Sequence, residues 1–350
     1  MSIAPIDAIP EYAVTTNDVH LKFTDGTKTI SVPAGTTILE AANAAGVRLV
    51  SQCKVGTCGT CVGRVACGEV MMPEGRVYSL RQEEMAAGHR LLCQSHAFAD
   101  SEVELDYPAS MLDEHPVIAT TAKVGAVSRL GESVVELQLK LPKSVRFSFR
   151  AGQYVRMRVP GTDEWRSYSM ASGERDRKKL SFTIRVLPSG VMSDYLRSSA
   201  AVGDQIEIEG PIGGFGLGED SGPKLMIAGG TGLAPMLSML ETLQTARDDH
   251  PISLVFGCTR GADLFHLDEL DARRSFMRNL AVRVVVDEPV EIPDVLVGNP
   301  VSVLTADDVA HPQTSAYLCG PPAMLQAAEQ RLLELGMPAE RIHAEQFLPS

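Results

Sequence analysis

The 350-residue sequence predicts a multidomain chain of mixed α+β and α/β class, built from three modules. The first module begins with two short strands and a helix, which is the start of a small α+β domain. The second contains short strands at regular spacing, which predicts an antiparallel β-barrel. In the third, strands alternate with helices, which predicts a doubly wound parallel sheet. A chain of this length exceeds one hydrophobic core, so several domains are expected.

The composition is that of a globular protein, with 44% apolar and 22% charged residues. No apolar run is long enough to span a bilayer, and the first residues do not resemble a signal peptide. Seven cysteines, three of them within nine residues, do not form a secreted disulfide pattern, so we expect a cytosolic protein. The net charge of −12 argues against binding to nucleic acid or an anionic membrane. It suits a protein partner with a basic docking face.

The first module follows an aperiodic segment, residues 1–17, which we interpret as an N-terminal extension. Residues 19–24 alternate between apolar and polar side chains, and Asp25-Gly26 is a strong turn signal before a second strand. A helix is expected from Ile38, with threonine at its N-cap and Gly46 after its last turn. The sequence therefore predicts a hairpin with a helix laid across it.

Four cysteines of this module form the C-x4-C-x2-C…C pattern of a plant-type [2Fe–2S] cluster. The expected metal ligands are Cys53, Cys58, Cys61 and Cys93. Gly56 and Gly59 lie between the first three and let backbone amides approach the sulfurs. The alternatives are a zinc site or unrelated buried thiols, but structural zinc usually binds two paired C-x2-C knuckles, and Cys93 stands alone. Cys67 lies off the pattern and is expected to be a small core residue.

Residues 18–107, with this cysteine spacing, resemble a plant-type ferredoxin domain. The resemblance implies a β-grasp fold around the cluster. Lys54 occupies a position where the family more often has arginine. Residues 108–116 follow with two prolines and no period, and are interpreted as a linker.

A tetrapeptide of the second module, Arg166-Ser167-Tyr168-Ser169, carries side chains suited to a flavin. A guanidinium can bind a pyrophosphate, an aromatic ring can lie against the isoalloxazine, and a hydroxyl can bond the nitrogen that accepts hydride. Further along, Ser193 is expected to cap a short helix whose free amides face a phosphate. The glycines of residues 210–215 permit close approach of a ligand. Each motif alone also fits an ordinary strand, turn or capped helix.

Taken in order, these motifs of residues 117–220 resemble the FAD domain of the ferredoxin–NADP reductase superfamily. The resemblance implies FAD as a cofactor. It implies cofactor contacts at Arg166, Tyr168, Ser169, Ile184, Val186, Met192 and Ser193.

The third module, residues 221–350, opens with a buried strand and a glycine-rich turn that starts a helix. Strands and helices then alternate, and residues 301–304 are expected to form one of the later strands. This geometry receives a pyrophosphate, although a glycine turn alone is often only a tight connection. The expected nucleotide contacts are Gly229, Gly230, Thr231 and Gly232.

The choice of nucleotide is expected to depend on a later strand that ends at Asp287-Glu288, where NADP-dependent members of the superfamily have serine and arginine. Carboxylates there repel a 2′-phosphate and accept a hydrogen bond from a ribose 2′-hydroxyl, so Asp287 is expected to favour NADH. Arg260, after the second strand, is the opposing feature. It can reach a 2′-phosphate, stack on the adenine or face solvent.

Two further segments match the same superfamily. Cys319-Gly320-Pro321 matches the motif beside the nicotinamide, which makes Cys319 and Ser169 the expected catalytic residues and Gly320 and Pro321 cofactor contacts. Phe347 lies in a closing segment whose aromatic ring can cover the flavin. A buried core cysteine and a packing aromatic are the alternatives.

The order of the modules resembles that of the reductase components of multicomponent aromatic-ring oxygenases, of the benzoate or toluate 1,2-dioxygenase type. The resemblance implies a monomeric NADH-dependent reductase that passes electrons through FAD and the [2Fe–2S] cluster to a terminal oxygenase, with a Rieske-type oxygenase favoured. A nicotinamide gives two electrons as hydride and the cluster takes one, so the flavin belongs between them. The alternative within the class is the reductase of a di-iron phenol or alkene monooxygenase. A redox sensor without turnover and an iron–sulfur carrier are alternatives from other classes.

Overall fold

The computed structural model describes residues 15–51, 56, 59–76, 78–110, 115–176, 178–218 and 221–346. The chain divides into two compact units, Met1–Leu112 and Asp113–Ser350. Each unit has its own hydrophobic core. Among the residues just given, no helix combines the length and apolar character needed to cross a membrane.

The first unit contains a five-stranded sheet in the order β2-β1-β7-β3-β5, with β7 parallel to β1. A hairpin, a helix across the sheet and a late central strand together define a β-grasp fold, as predicted. The elements are β1 Thr16–Phe23, β2 Gly26–Pro33, α1 Ile38–Ala44, β3 Val62–Cys67, β4 Val70–Met71, α2 Gln82–Ala86, β5 His89–Leu91, β6 His96–Ala97 and β7 Ser101–Glu104.

Helix α1 begins where its sequence signals predicted. Thr37 Oγ1 accepts a hydrogen bond from the Glu40 amide at 3.2 Å, and the Glu40 carboxylate accepts one from the Thr37 amide at 3.0 Å. This capping box satisfies two of the amides that a helix start leaves unpaired. Gly46, with φ of +76°, follows the last turn in a left-handed conformation that glycine adopts without strain.

The second unit begins with an antiparallel six-stranded sheet in the order β11-β10-β13-β8-β9-β12. A bridge between Met170 and Phe182 joins its two edges, so the sheet closes into the predicted barrel. The elements are β8 Ile118–Arg129, β9 Val134–Lys140, β10 Tyr154–Arg158, β11 Trp165–Ser169, β12 Lys179–Arg185, α3 Val191–Ser198 and β13 Gln205–Ile212.

The remainder of the second unit is a parallel six-stranded sheet in the order β17-β16-β15-β14-β18-β19. Met226 and Ala228 of β14 belong to a core with α4 and α5, whereas Leu225 and Ile227 belong to a second core with α6. Both faces are therefore covered, which confirms the doubly wound prediction. The elements are β14 Lys224–Gly229, α4 Leu233–Ala246, β15 Ile252–Cys258, α5 Leu267–Phe276, β16 Leu280–Val286, β17 Val295–Val297, β18 Ser315–Gly320, α6 Pro322–Glu334 and β19 Ile342–Gln346.

Three local predictions are wrong. Ser193 is not the N-cap of α3, because Gly190 takes that position and the Ser193 hydroxyl accepts a hydrogen bond from the Leu187 amide at 3.0 Å. Residues 301–304 form no strand, because Asn299 Oδ1 captures the amides of residues 301 and 302 in a local turn. Cys67 is exposed at the end of β3 rather than in the core.

Candidate functional site

The structure brings two of the four predicted metal ligands together. Cys61 and Cys93 are 3% and 5% exposed, and the Leu92 amide donates to the Cys61 carbonyl at 2.9 Å. This bond joins the segment that carries Cys93 to the segment that carries Cys61. Cys53 and Cys58 lie outside the described residues.

The residues around these cysteines fit a cluster with sulfur acceptors. Gly56 and Gly59 have φ of +84° and +75°, and the Ser79 amide donates to the Gly56 carbonyl at 3.1 Å. Ser79 Oγ is buried, has no hydrogen-bond partner among the described residues, and lies 3.5 Å from where Gly59 would carry a Cβ. A buried hydroxyl without an acceptor costs about 1–3 kcal/mol. Sulfur atoms of a bound cluster would supply that acceptor.

Strand β11 places the tetrapeptide residues at the end of the barrel sheet. The Arg166 guanidinium is 19% exposed, donates to the Trp165 carbonyl at 3.0 Å and pairs with Glu164 at 2.5 Å. Tyr168 packs against the barrel core, and burial raises the pKa of its hydroxyl. Arg166 is therefore held near the surface by its own hairpin, where a pyrophosphate can exchange with Glu164.

Replacing Arg166 by alanine is expected to weaken FAD retention by roughly 1.5–3 kcal/mol, because a charge-assisted contact with the pyrophosphate is lost. The measurement is the flavin content after repeated buffer exchange, read from its absorbance. Arg158→Ala is the matched control, since Arg158 belongs to the same sheet but pairs with Glu207 at 2.9 Å. Equal flavin loss in both variants would contradict a specific role for Arg166.

The other predicted flavin contacts are buried or partly buried in the barrel domain. Ile184 and Met192 are 2% and 3% exposed and pack in the barrel core, and Val186 packs against its edge. Ser193 is buried at the start of α3. Their contacts with FAD stay predictions.

Thr183 is a polar residue at this site that the motifs missed. Its neighbours Phe182 and Ile184 point into the barrel core, so Thr183 points outward, yet it is only 5% exposed. Strand β12 contacts the Gly230–Gly232 turn, and Thr183 Oγ1 has no partner within the described part of the chain. A ligand between barrel and turn would satisfy this hydroxyl. Nothing in the sequence singled it out, because Thr183 is one of several polar residues that alternate with apolar ones along this strand.

The glycine turn at Gly230–Gly232 sits directly against the end of β18. A Cβ at Gly232 would lie 2.1 Å from the Cys319 carbonyl oxygen, and one at Gly229 would lie 2.6 Å from the sulfur of Met324. Gly230 has φ of +54°. The turn and helix α4 thus start between β14 and β18, which is the topological switch point where such sheets bind ligands.

Most of the predicted nucleotide contacts lie around this switch point. Thr231 lies within the turn, Gly320 ends β18 and Pro321 precedes α6. Asp287 is exposed directly after β16, two strands away in the sheet. Phe347 lies outside the described residues.

Glu345 on β19 joins the two predicted catalytic residues. The Ser169 hydroxyl donates to Glu345 Oε2 at 3.2 Å, and Cys319 is the register partner of Glu345 across β18 and β19. Gly213 packs closely beside this group. A larger residue would collide there, because a Cβ on Gly213 would lie 2.9 Å from the Tyr154 ring. A hydroxyl, a thiol and a carboxyl therefore meet where the barrel and the parallel sheet come together.

Burial raises the pKa of two of these three side chains, Glu345 and Cys319. It raises the pKa of Glu345 to about 8, against the smaller lowering effect of the Ser169 hydrogen bond. It also raises the pKa of the Cys319 thiol, to which the nearby Glu345 adds. At neutral pH the carboxyl can therefore donate a proton as well as accept a hydrogen bond. Glu345 was not selected from the sequence, where it appears only as one acidic residue of the closing segment.

Replacing Glu345 by glutamine is expected to flatten the pH dependence of stability between about pH 4.5 and 8. In that window the folded protein holds a proton that the unfolded chain has lost. The stability from Glu345 is complete below the unfolded pKa and is lost as pH rises through the folded one. The slope is at most about 1.4 kcal/mol per pH unit, and partial exposure of the residue reduces it.

The measurement is the melting temperature of both proteins at a series of pH values. Ser169→Ala should move the upper end of the window to higher pH, because the hydrogen bond that lowers the pKa is removed. Parallel curves for the wild type and Glu345→Gln would contradict a raised pKa.

Comparison with known proteins finds family models along most of the chain. The chain matches three families in order: the 2Fe-2S iron-sulfur cluster binding domain at residues 22–97, the oxidoreductase FAD-binding domain at 121–216 and the oxidoreductase NAD-binding domain at 226–330.

Relatives match over nearly the whole chain. The toluate 1,2-dioxygenase electron transfer component of Pseudomonas putida is 33% identical, over 96% of this chain and 99% of that protein. The propane 2-monooxygenase reductase component of Mycolicibacterium smegmatis is 33% identical, over 89% of this chain and 91% of that protein. The crystal structure of the Amycolatopsis cytochrome P450 reductase GcoB has a TM-score of 0.74 and 33% identity, covering 95% of this chain and 99% of that one.

The chain therefore belongs to the family of iron–sulfur flavoprotein reductases that are the electron transfer components of multicomponent oxygenases. It is an oxidoreductase with FAD, NADH and a [2Fe–2S] cluster as its redox groups. The three-module fold and the cofactors predicted from the motifs are confirmed. The roles of individual site residues stay predictions.

Proposed function

We propose that this chain is the NADH-dependent electron-transfer component of an aromatic-ring dioxygenase of the benzoate or toluate type. Its partner would be a Rieske-type terminal oxygenase. The support for this partner is the end-to-end similarity to the toluate 1,2-dioxygenase electron transfer component. A cytosolic monomer with domains at residues 18–107, 117–220 and 221–350 belongs to the same proposal.

The observation that carries the redox part is the meeting of Ser169, Glu345 and Cys319 between barrel and parallel sheet. When bound, FAD accepts a hydride from the nicotinamide and releases electrons singly toward the cluster. The chain's own contribution is position and proton control. Arg166 would hold the pyrophosphate, the Gly230–Gly232 turn would hold the dinucleotide, and the Ser169 hydroxyl would be oriented by Glu345.

A di-iron monooxygenase is the second candidate partner. The propane 2-monooxygenase reductase component is 33% identical to this chain, the same identity as the toluate 1,2-dioxygenase component. The experiment mixes the NADH-reduced protein with a Rieske-type aromatic dioxygenase, a di-iron hydroxylase and a cytochrome P450, and follows reoxidation of its cluster. Fastest reoxidation by the Rieske protein is expected. Faster reoxidation by either of the others would overturn the choice of partner but not the reductase activity.

NADH is expected to exceed NADPH in kcat/KM by about tenfold or more, because one like-charge contact of about 1.4 kcal/mol already gives a factor of ten. Asp287 and Glu288 are both exposed after β16, where they would repel a 2′-phosphate. The measurement is steady-state reduction of an artificial acceptor with each nucleotide. Equal efficiency would contradict the proposed selectivity.

A further inference from the structure

Arg260 lies at a position that often determines whether a dinucleotide-binding sheet binds NADH or NADPH. It follows β15, the second strand of the β14–α4–β15 unit, at the edge where the glycine turn begins α4. In such units an acidic residue near this point binds a ribose 2′-hydroxyl, whereas an arginine accommodates a 2′-phosphate. By position alone, Arg260 would favour NADPH.

The guanidinium of Arg260 is already paired with carboxylates of this chain. Its Nε donates to Asp263 Oδ2 at 2.9 Å and its Nη2 donates to Asp263 Oδ1 at 3.1 Å, a bidentate pair. Glu132 lies 3.3 Å from the same Nη2, and Glu288 is close enough to act on it electrostatically. Bidentate pairs of this kind fix the direction of the guanidinium as well as its charge.

Asp263 is held in place from the barrel. It is 5% exposed, and the Ser133 hydroxyl, at the start of β9, donates to its Oδ1 at 2.5 Å. The Glu132 amide donates to the Ala262 carbonyl at 3.1 Å, which pins the hairpin between β8 and β9 to the same loop. Arg260 lowers the pKa of Asp263, so the carboxylate is ionised at neutral pH.

We propose that Asp263 determines the nucleotide specificity of this reductase by sequestering Arg260. The ion pair, fixed by Ser133, turns the arginine away from the ribose and leaves Asp263, Glu132 and Glu288 as an acidic surround that rejects a 2′-phosphate. Selectivity for NADH then depends on a contact between the barrel and the nucleotide domain, in addition to Asp287. This inference rests on the proposed use of NADH.

The test is Asp263→Asn, which keeps the shape of the side chain and removes its charge. Arg260 then becomes available to a 2′-phosphate. The ratio of kcat/KM for NADPH to that for NADH is expected to rise about tenfold, which corresponds to about 1.4 kcal/mol. A binding readout accompanies it: the affinity of the oxidised protein for NADP⁺ relative to NAD⁺ should rise in parallel. Added salt should reduce that gain, because the new contact is between exposed charges.

Three variants separate sequestration from general damage. Arg260→Ala should cancel the gain in the Asp263→Asn background and leave the ratio unchanged in the wild type. Ser133→Ala should raise the ratio in the same direction but by less than Asp263→Asn, because it removes the hydrogen bond that fixes Asp263 while both charges of the ion pair remain. Asp308→Asn is the matched control, because Asp308 forms another partly buried pair, with Arg283 Nη1 at 3.2 Å, in the same domain. It should leave the ratio unchanged.

Glu132→Gln covers the case in which Asp263→Asn does not fold. Its side chain is 61% exposed, so folding is not at risk, and it removes one of the two carboxylates bound to Arg260. A smaller gain in the same direction is expected, because exposed pairs are weak.

The outcomes distinguish failure of Arg260 sequestration from failure of the proposed reductase function. If NADH reduces the wild-type flavin but Asp263→Asn weakens both nucleotides equally, sequestration is overturned alone. A gain that survives Arg260→Ala in the double variant overturns it as well. If NADH does not reduce the wild-type flavin, the proposed function fails, and sequestration fails with it.

Discussion

Replacing Cys93 by serine is expected to abolish the [2Fe–2S] cluster while NADH still reduces the flavin. A serine hydroxyl stays protonated at neutral pH and is a poor ligand for iron, whereas a cysteine binds iron as the thiolate. The Cys93 side chain is buried, on a segment that is hydrogen-bonded to Cys61. The predicted flavin and nucleotide contacts all belong to the second compact unit, Asp113–Ser350, so their chemistry does not depend on the first.

The measurement combines iron content, the electron paramagnetic resonance signal of the reduced protein and bleaching of the flavin absorbance by NADH. Cys67→Ser is the matched control, because Cys67 is exposed and off the ligand pattern, and it should retain its iron. Full iron content in Cys93→Ser would remove Cys93 from the ligand set. Loss of flavin reduction together with iron would show that the two units are not independent.

Replacing Gly232 by alanine is expected to disrupt nucleotide binding without loss of FAD. The added Cβ would lie 2.1 Å from the carbonyl oxygen of Cys319 and 2.6 Å from its carbon. Both are backbone atoms of β18 that cannot rotate away, so the turn and the strand must separate. Overpacking of this kind costs about 1–3 kcal/mol. Since 1.4 kcal/mol is a factor of ten, the KM for NADH should rise about tenfold or more.

Gly230→Ala is the paired control for this clash. Gly230 has φ of +54°, but no described atom lies within 4 Å of the Cβ that alanine would add. Its cost is limited to backbone conformation, at about 1–2 kcal/mol for a residue with a Cβ in the left-handed region. Equal effects of the two variants on KM would mean that backbone strain, and not contact with β18, limits substitution at this turn.

The parts of the fold that the sequence predicted are those with local signals. Thr37 and Glu40 form a capping box within four residues, and the glycines after β14 mark a turn wherever they occur. The spacing of the cysteines is likewise a local signal, and it predicted the [2Fe–2S] cluster. Periodicity failed where a single side chain changed the local hydrogen bonding, as Asn299 does after β17.

The parts that the sequence did not predict depend on contacts between distant residues. Ser169 and Glu345 are 176 positions apart, and Ser133 and Asp263 are 130 apart, so no spacing rule connects them. The motifs placed Ser169 and Cys319 near the reacting groups but gave no reason to select the glutamate between them. Likewise, Arg260 was visible as a cation, and only the fold shows that Asp263 binds it.

The position of β7 in the first sheet has a consequence for how that domain folds. This strand lies between β1 and β3 although it is the last of the five to be synthesised. The register that pairs Val19 with Ser101 therefore closes a long loop before the centre of the sheet exists. Non-local pairing of this kind slows folding, because chain entropy is lost before the contacts form. A nascent chain that ends before residue 101 cannot complete this sheet, so assembly of the iron–sulfur cluster is expected to follow synthesis of β7.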